Sequence, residues 1–494
     1  MPGSRAKAWR GEKTLRREKT LRREAMRKLV WLHRWLGVAT CLVFALWFAS
    51  GAVLLFKPFP SLSHADQLRL ESPIDVRAVT ISPRAAAIAA GRPTALRLVQ
   101  RGGTPAYIAT TPEGTIAIDA RSGRRLRDLG PDQVAANWTA PFGLTSRVAI
   151  AYDQWVVHDR FDPLRPFYRL AVADGRGTNV YLSAKTGELV QRTNAADRGW
   201  NWVGAVLHWA YFTPLRSSFT AWDRTVWIVS FVALLVAIAG TILGIVRMLA
   251  ARRRHRPSLT PYRRRWMRWH HLLGLFASGF VLSWTLSGWL SMDHGRLFSR
   301  GQPTAEQMSR YAGVALRDVM PTEVPAGVPA DTRQIDLTAV GGRSLLVAWQ
   351  PDGTARTYDR DYAPIAPAAV RQRIGNALLD AFPLASGYSL APIDPTTTYA
   401  MAEGWPETAV RVTLTGGKYP DVYADGVDGR LLTVMDDSRA RYAWMYYALH
   451  TFNFPGFATH PLLRRVVVSI LLLFGFLFSL TGMVLGVQRL RRIN

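Results

Sequence analysis

The chain has 494 residues, of which 49% are hydrophobic and 20% are charged, and its formal net charge is +27. This length is sufficient for two or three ordinary domains. Most of the excess positive charge lies beside long apolar runs, in residues 1–34, 247–268 and 489–494, which leaves only about +6 elsewhere. Because no basic face remains in the rest of the chain, the distribution argues against nucleic-acid binding and indicates membrane topology.

The single cysteine, Cys41, lies inside an apolar run. One cysteine excludes internal disulfides, iron–sulfur clusters, cysteine zinc sites and haem attached through a C-x-x-C-H motif. No glycine-rich nucleotide loop follows a strand pattern, so the sequence offers no flavin or nicotinamide site. Any haem in this protein would therefore be held non-covalently.

Four windows lack Asp, Glu, Lys and Arg altogether: residues 35–56, 225–246, 269–292 and 466–488. About 20 apolar residues are enough to cross the hydrocarbon core of a bilayer, so each window predicts a transmembrane helix. The first window is longer than the apolar part of a signal peptide, and we expect it to be retained. The basic clusters place both termini and the middle loop in the cytoplasm, and two large segments outside.

This topology predicts the following organisation in chain order. It comprises a basic cytoplasmic tail (1–28), helix 1 (29–56), external domain 1 (57–199), an interfacial segment (200–223), helix 2 (224–247), a basic cytoplasmic loop (248–268), helix 3 (269–292), external domain 2 (293–441), a second interfacial segment (442–465), helix 4 (466–488) and a cytoplasmic tail (489–494). Met26, just before the first apolar window, is an alternative translation start.

The two halves of the chain resemble each other. A shift of 237 residues aligns the first span with the third, and a shift of 242 aligns the second with the fourth. Identical pairs include His33 and His270, Trp47 and Trp284, Ser50 and Ser287, Gly51 and Gly288, His208 and His450, and Gly240 and Gly482. The fold class predicted is an integral membrane α-helical protein with four transmembrane helices in two parallel repeats and two α+β external domains. Their pseudo-twofold axis would run along the membrane normal.

Most of the predicted chemistry depends on the paired histidines. His33 and His270 fall at the cytoplasmic ends of spans 1 and 3, whereas His208 and His450 precede spans 2 and 4 on the outer side. A twofold axis would place equivalent imidazoles face to face, which suits axial ligation of a haem iron. His271 is an alternative to its neighbour His270.

Other residues are candidates for the surroundings of such a cofactor. His294 is a rival outer ligand. Gly51 and Gly288 lie five helical turns beyond His33 and His270, on the same helix face, where small residues admit a flat cofactor. Trp47 and Trp284 are candidate pocket walls. Arg198 and Arg441 are candidates for charge-assisted bonds to haem propionates.

Several motifs resemble those of a known family. They are LHRWLG at 32–37, WFASG at 47–51, TGELV at 186–190 and RGWNWVGAVLH at 198–208. Together they resemble the PepSY-associated transmembrane proteins of bacteria, over roughly residues 27–490. The resemblance implies a multi-pass protein of the bacterial inner (cytoplasmic) membrane with PepSY-like periplasmic domains.

Characterised relatives implied by this resemblance include FoxB-like ferric-siderophore reductases with two b-type haems. His33 and His270 would then ligate the inner haem, and His208 and His450 the outer one. Some relatives carry an appended flavin and nicotinamide module. Only six residues follow span 4 here, so we expect a separate electron donor, a cytoplasmic reductase or quinol.

The expected activity is transmembrane electron transfer to periplasmic ferric siderophores or other ferric chelates, releasing Fe(II) for iron uptake. No catalytic acid or base is expected. The candidate contacts to the chelate are His158, Arg160, Arg165 and Tyr168. Two alternatives remain open: a non-catalytic, membrane-tethered PepSY binding or regulatory module, and a metal transporter, which the scarcity of polar residues in the spans disfavours.

Overall fold

The computed structural model describes residues 3–136, 143–253, 259–394, 400 and 403–492. Residues 254–258 of the predicted basic loop lie outside the described residues. The helices in chain order are α1 (Gly3–Phe56), α2 (His64–Leu70), α3 (Pro83–Ala90), α4 (Pro131–Ala135), α5 (Ala195–Asn201), α6 (Thr213–Arg216), α7 (Phe219–Arg252), α8 (Arg265–Ser291), α9 (Ala305–Ala312), α10 (Leu316–Val319), α11 (Pro367–Ala381), α12 (Asp437–Ala443), α13 (Pro455–Ala458) and α14 (Pro461–Leu490).

The strands in chain order are β1 (Ala95–Arg101), β2 (Thr104–Thr111), β3 (Gly114–Asp119), β4 (Leu144–Ile150), β5 (Phe167–Val172), β6 (Asn179–Ser183), β7 (Leu189–Thr193), β8 (Gln334–Val340), β9 (Arg343–Trp349), β10 (Ala355–Tyr358), β11 (Gly387–Pro392), β12 (Ala409–Thr415), β13 (Asp421–Asp425) and β14 (Leu431–Met435). Short 3₁₀ turns occur at Val76–Ala78 and Asp159–Leu164, and π-helical turns at Trp202–Val206 and Trp444–His450.

The four predicted spans are confirmed as helices α1, α7, α8 and α14, each long and apolar enough to cross a membrane. All four extend beyond the uncharged windows. Helix α1 begins at Gly3, so the predicted basic tail continues the first span as one helix instead of forming a separate segment. Charged residues mark the edge of a membrane, but Arg and Lys are good helix formers and do not end a helix.

The four long helices form one bundle. Helices α1 and α8 each pack against both α7 and α14, which places α1 and α8 on opposite sides of the bundle. Phe44 and Phe48 of α1, Val236 of α7, Val281 of α8 and Leu472 of α14 form its buried centre. We call the end of the bundle that carries the two chain termini the termini end, and the opposite end the sheet end.

The two external segments share a sheet, which differs from the two separate domains that the sequence predicts. Six antiparallel strands lie in the order β10-β9-β8-β1-β2-β3, so that β1 and β8 join the contributions of the two halves. Arg97 pairs with Asp336 at the middle of this junction, flanked by Leu96 with Leu337 and Leu98 with Ile335. The edge strand of a separate three-stranded sheet would have unpaired backbone N–H and C=O groups. The pairing of β1 with β8 satisfies these groups on one edge of each half's contribution.

Each half also contributes a four-stranded antiparallel sheet, β4-β5-β6-β7 in the first and β11-β12-β13-β14 in the second. In the second sheet, Ile374 and Leu378 of α11 pack on Val412 and Val422. The last strand of each sheet leads into a capped helix. The side chain of Asn194 accepts a hydrogen bond from Asp197 N to begin α5, and Asp436 accepts one from Arg439 N to begin α12. These two helices bring the chain back to the sheet end of the bundle.

Candidate functional site

The structure brings the four paired histidines together as two opposed pairs. The ring centroids of His33 and His270 are 6.3 Å apart at the termini end, and those of His208 and His450 are 6.4 Å apart at the sheet end. Two imidazoles that bind one metal ion from opposite sides, with metal–nitrogen bonds of about 2.0–2.1 Å, have centroids about 6.3 Å apart. Both pairs therefore have the spacing of two axial ligands.

Irregular backbone positions the outer pair. The π-helical turns at Trp202–Val206 and Trp444–His450 follow α5 and α12, and π-helical turns are frequent at functional sites. Two residues after each histidine the chain reverses through a left-handed residue, Ala210 (φ 51°) or Phe452 (φ 56°). This reversal sends the chain into α7 or α14 and leaves His208 and His450 between the helices.

A hydrogen bond fixes the Nδ1 atom of each histidine in the inner pair. Nδ1 of His33 lies 3.2 Å from the carbonyl oxygen of Val236, and Nδ1 of His270 lies 3.0 Å from Oγ1 of Thr481. The Thr481 hydroxyl donates to the carbonyl of Phe478 at 2.6 Å, so its oxygen accepts from His270. Metal-binding histidines usually donate one ring N–H to such a partner, which fixes the tautomer.

The outer pair repeats this arrangement with serine. Oγ of Ser50 lies 3.1 Å from Nδ1 of His208, and Oγ of Ser287 lies 3.2 Å from Nδ1 of His450. Among the residues that the structure describes, no hydrogen bond is made by Nε2 of any of the four paired histidines. With Nδ1–H donated outward, each Nε2 keeps a lone pair for a metal ion.

Glycines lie against all four imidazole rings. A Cβ atom built on Gly240 would be 2.6 Å from Cε1 of His33, and one on Gly288 would be 3.0 Å from Cε1 of His450. Gly51 and Gly482 are the corresponding neighbours of His208 and His270, at 3.4 and 3.6 Å. The sequence predicts that Gly51 and Gly288 admit a flat cofactor, whereas in the structure each lies against the ring of an outer histidine.

A cavity of about 790 Å³ surrounds the inner pair. Its volume falls within the range of about 300–1,000 Å³ that small-molecule and cofactor sites occupy. Its wall includes three pairs of glycines at equivalent positions of the two halves: Gly37 and Gly274, Gly240 and Gly482, and Gly244 and Gly486. Glycine removes side chains from the wall, so that a wide, flat group fits between four helices.

The donor set does not suit a bare metal ion. Within the described residues, no group of three or more His, Cys, Asp or Glu could hold one. Zinc takes four protein ligands in structural sites and three in catalytic sites. Two opposed imidazoles in an apolar, glycine-lined space fit an ion whose remaining ligands come from a cofactor, which is the arrangement of a bis-histidine haem.

The two rival histidines have other partners. Nε2 of His271 lies 3.0 Å from the carbonyl oxygen of Gly244, and the His271 ring packs edge-on against Tyr262. Nδ1 of His294 lies 2.6 Å from Oδ2 of Asp223, with its ring 4.7 Å from that of Trp227. Neither ring belongs to an opposed histidine pair, whereas His270 and His450 each do.

Trp47 and Trp284 lie inside the bundle. The Trp47 ring packs edge-on against Phe44 at 6.3 Å. Trp284 contacts the rings of Phe280 and Phe452, and its indole N–H is buried without a hydrogen-bond partner. Neither tryptophan is among the residues that line the cavity around the inner pair, so their role as walls of a cofactor pocket stays a prediction.

Arg198 and Arg441 are engaged elsewhere. Arg198 donates to Oγ1 of Thr193 and to the carbonyl of Gly177, which ties α5 to the first four-stranded sheet. Arg441 donates to the carbonyl of Asp437 in its own helix. These hydrogen bonds hold neither guanidinium group beside a histidine pair.

The four predicted substrate contacts lie around one loop and its neighbouring strand. Arg165 donates to the carbonyls of Ala151 and Val156 and to Asp162, so it organises the loop. Burial lowers the pKa of His158, whose Nδ1 accepts from Arg160 N. Tyr168 lies on β5, beside the core of the first four-stranded sheet. The hydrogen bonds of Arg165 thus point to a structural role.

Sequence reasoning missed some of the supporting residues. The duplication could have identified four of them, because they form identical pairs in the two halves: Ser50 with Ser287 and Gly240 with Gly482. The duplication could not have identified Thr481, because the equivalent residue in the first half is Ala239. His33 lacks a hydroxyl partner there and uses the backbone of Val236 instead.

These features define a multi-pass membrane protein whose helical bundle holds two histidine pairs, one at each end, beneath a layer of β-sheets. A family profile described as the PepSY-associated TM region matches residues 30–489. The chain therefore belongs to this family, as its motifs predict. A comparison with curated protein sequences gave no match.

Proposed function

We propose that this protein is a transmembrane electron-transfer protein that binds two non-covalent b-type haems and reduces ferric chelates. The main support for the proposal is the distance between the ring centroids in the two histidine pairs, 6.3 and 6.4 Å, at opposite ends of one bundle. Gly51, which packs on His208, lies 18 residues after His33 on α1. That is about 27 Å along a helix axis, close to the thickness of a hydrocarbon core.

The residues present fit haem at both positions. His33 and His270 would hold the haem at the termini end, and His208 and His450 would hold the haem at the sheet end. A bound haem supplies one-electron redox chemistry. The protein's part is to hold four imidazoles in one tautomer, through Val236, Thr481, Ser50 and Ser287, and to exclude water with the apolar centre of the bundle.

The basic clusters support an orientation for this transfer. Arg and Lys are concentrated at the termini end, which the positive-inside rule assigns to the cytoplasm. The sheets would then be periplasmic and the membrane the bacterial inner membrane. Arg97 and Asp336, each the third residue of a seven-residue strand, pair with each other at the centre of the shared sheet. This symmetric junction of β1 with β8 supports two parallel repeats about an axis along the membrane normal.

The substrate class we propose is a ferric siderophore or other ferric chelate on the sheet side. The resemblance to FoxB-like reductases supports it, together with the position of the outer pair beneath the sheets. Fe(II) carries less charge than Fe(III) and binds hard oxygen ligands less tightly, so reduction would release iron for uptake. The electron donor would be a separate cytoplasmic protein or quinol.

Absorbance of the detergent-purified protein, oxidised and then reduced with dithionite, tests the proposal. We expect sharp α and β bands from about two six-coordinate haems per chain, and reoxidation upon addition of a ferric siderophore. The variant His270→Ala should lose the inner haem and His450→Ala the outer one. His271→Ala and His294→Ala are matched controls that should keep both.

A colourless wild-type protein would overturn the proposal and favour a non-catalytic binding module. Unchanged ferric reduction in a His208→Ala, His450→Ala double variant would exclude the outer pair from the route to the substrate.

A further inference from the structure

The mouth of the inner cavity is strongly basic. Among the residues that the structure describes, six arginines line it: Arg34, Arg247, Arg264, Arg265, Arg489 and Arg492. No Asp or Glu is among the described residues of the lining. Deeper in the bundle the same cavity is lined by apolar side chains such as Phe44, Val236 and Val281. The cavity therefore suits a ligand with a flat apolar body and negative charge at one edge.

Two of these arginines occupy equivalent positions on opposite helices. Arg247 follows Gly240 on α7 by seven residues, and Arg489 follows Gly482 on α14 by seven residues. Seven residues are nearly two full turns, so each arginine lies on the same helix face as its glycine and about 10 Å nearer the termini end. Because Gly240 and Gly482 pack on the imidazoles of His33 and His270, the two arginines overlie the histidine pair.

Neither guanidinium has an ion-pair partner within the described part of the chain. Nε of Arg489 is buried and makes no hydrogen bond, and its guanidinium lies 5.9 Å from the ring of Trp35. A buried guanidinium N–H without an acceptor is costly. Its charge is most stable when a carboxylate or phosphate supplies the acceptor.

We infer that the inner site binds its haem edge-on, with both propionate carboxylates turned towards the termini end and paired with Arg247 and Arg489. The inference rests on the proposed function. Haem has two carboxylates on one edge, and the bundle presents two equivalent guanidinium groups on one side of the histidine pair. The other four arginines lend the mouth a positive potential, which disfavours the ferric state of a haem beneath it.

The test uses the full-length chain with His208→Ala and His450→Ala, so that only the inner haem remains. In this background, Arg247→Gln with Arg489→Gln removes both proposed partners. We expect inner-haem occupancy to fall several-fold. The remaining haem should favour the oxidised form about tenfold more, which lowers its midpoint potential by about 59 mV for one electron.

Arg252→Gln with Arg491→Gln is the matched control, because it removes the same number of charges from the C-terminal ends of α7 and α14, outside the cavity lining. It should change neither occupancy nor potential. Arg247→Gln with Arg489→Gln in a chain that keeps all four paired histidines should retain the outer haem, which shows that the bundle still folds.

An inner haem with unchanged occupancy and potential in the double glutamine variant would overturn this inference and leave the proposed function standing. A wild-type protein that binds no haem would overturn both. Arg247→Lys with Arg489→Lys should restore most of the midpoint potential that the two Gln substitutions remove, since charge is retained.

Discussion

Gly240 of α7 and His33 of α1 lie in direct contact, so close that a Cβ atom at position 240 would be 2.6 Å from Cε1 of the imidazole. The equivalent contact in the other half is looser, because a Cβ at Gly482 would be 3.6 Å from Cε1 of His270. The two halves therefore respond differently to the same substitution, and this asymmetry gives a sharp test of the inner pair.

We expect Gly240→Ala to displace His33 and to reduce inner-haem content, because real Cβ atoms do not approach other atoms so closely. Gly482→Ala should be tolerated, since 3.6 Å is an ordinary van der Waals separation. The measurement is the haem-to-protein ratio of each purified variant. Equal haem content in the two variants would contradict the packing around His33.

The serine hydroxyls at the outer pair should matter for haem retention. Ser50→Ala removes the partner of Nδ1 in His208, and Ser287→Ala does the same for His450. Loss of such a partner lowers metal affinity by about 10- to 100-fold. Release of haem to apomyoglobin, followed by absorbance, would measure the change.

Ser230→Ala is the control for these serines. Its hydroxyl donates only to backbone carbonyls of its own helix, at 2.7 and 3.1 Å. It should release haem at the wild-type rate. Identical release from all three variants would mean that the serines do not orient the imidazoles.

A buried carboxyl in the external region should make stability depend on pH. Burial, with Glu188 nearby, raises the pKa of Glu71 to about 8, against an ordinary value of 4.5. Between these values the folded chain holds a proton that the unfolded chain has lost, so stability falls as pH rises, by about 1.4 kcal/mol per pH unit. Above pH 8 this contribution is constant.

Glu71→Gln should therefore flatten the decline of the thermal unfolding midpoint between about pH 5 and 8 and raise the midpoint at pH 8. The flattening should be partial, because burial also raises the pKa of Asp428, to about 7. Glu306→Gln, at an exposed pair with Arg310, is the control. A wild-type midpoint that is independent of pH in this window would contradict the prediction.

An ion pair joins the shared sheet to the first four-stranded sheet. Nη2 of Arg97 lies 2.6 Å from Oε2 of Glu188, whose side chain is 6% exposed. Arg97→Met would leave the buried side chain of Glu188 without its ion-pair partner, beside Glu71. We expect a loss of about 3 kcal/mol, the lower end of the range for buried pairs, because Arg97 itself is 28% exposed.

Denaturant unfolding followed by tryptophan fluorescence would measure this loss. Arg310→Met, which breaks an exposed pair within α9, should cost less than about 1 kcal/mol. A similar small effect at Arg97 would show that the two sheets are not held together by this pair.

Much of this protein is determined by its sequence alone. The four spans follow from uncharged windows of sufficient length, because a hydrocarbon core excludes charge irrespective of the rest of the fold. The pairing of His33 with His270 and of His208 with His450 follows from the duplication. Helices such as α3 (Pro83–Ala90) and α11 (Pro367–Ala381) are also local features, because both are rich in Ala, the strongest helix former.

Only the tertiary structure decided the rest, since it depends on contacts between distant residues. His270 and His271 are neighbours in sequence, but only His270 faces His33, because consecutive residues of a helix point about 100° apart. The junction of β1 with β8 joins strands more than 230 residues apart and made one sheet of two predicted domains. In the sequence, the arginines beside the spans indicate membrane topology. The bundle places two of them, Arg247 and Arg489, on the termini side of the inner histidine pair.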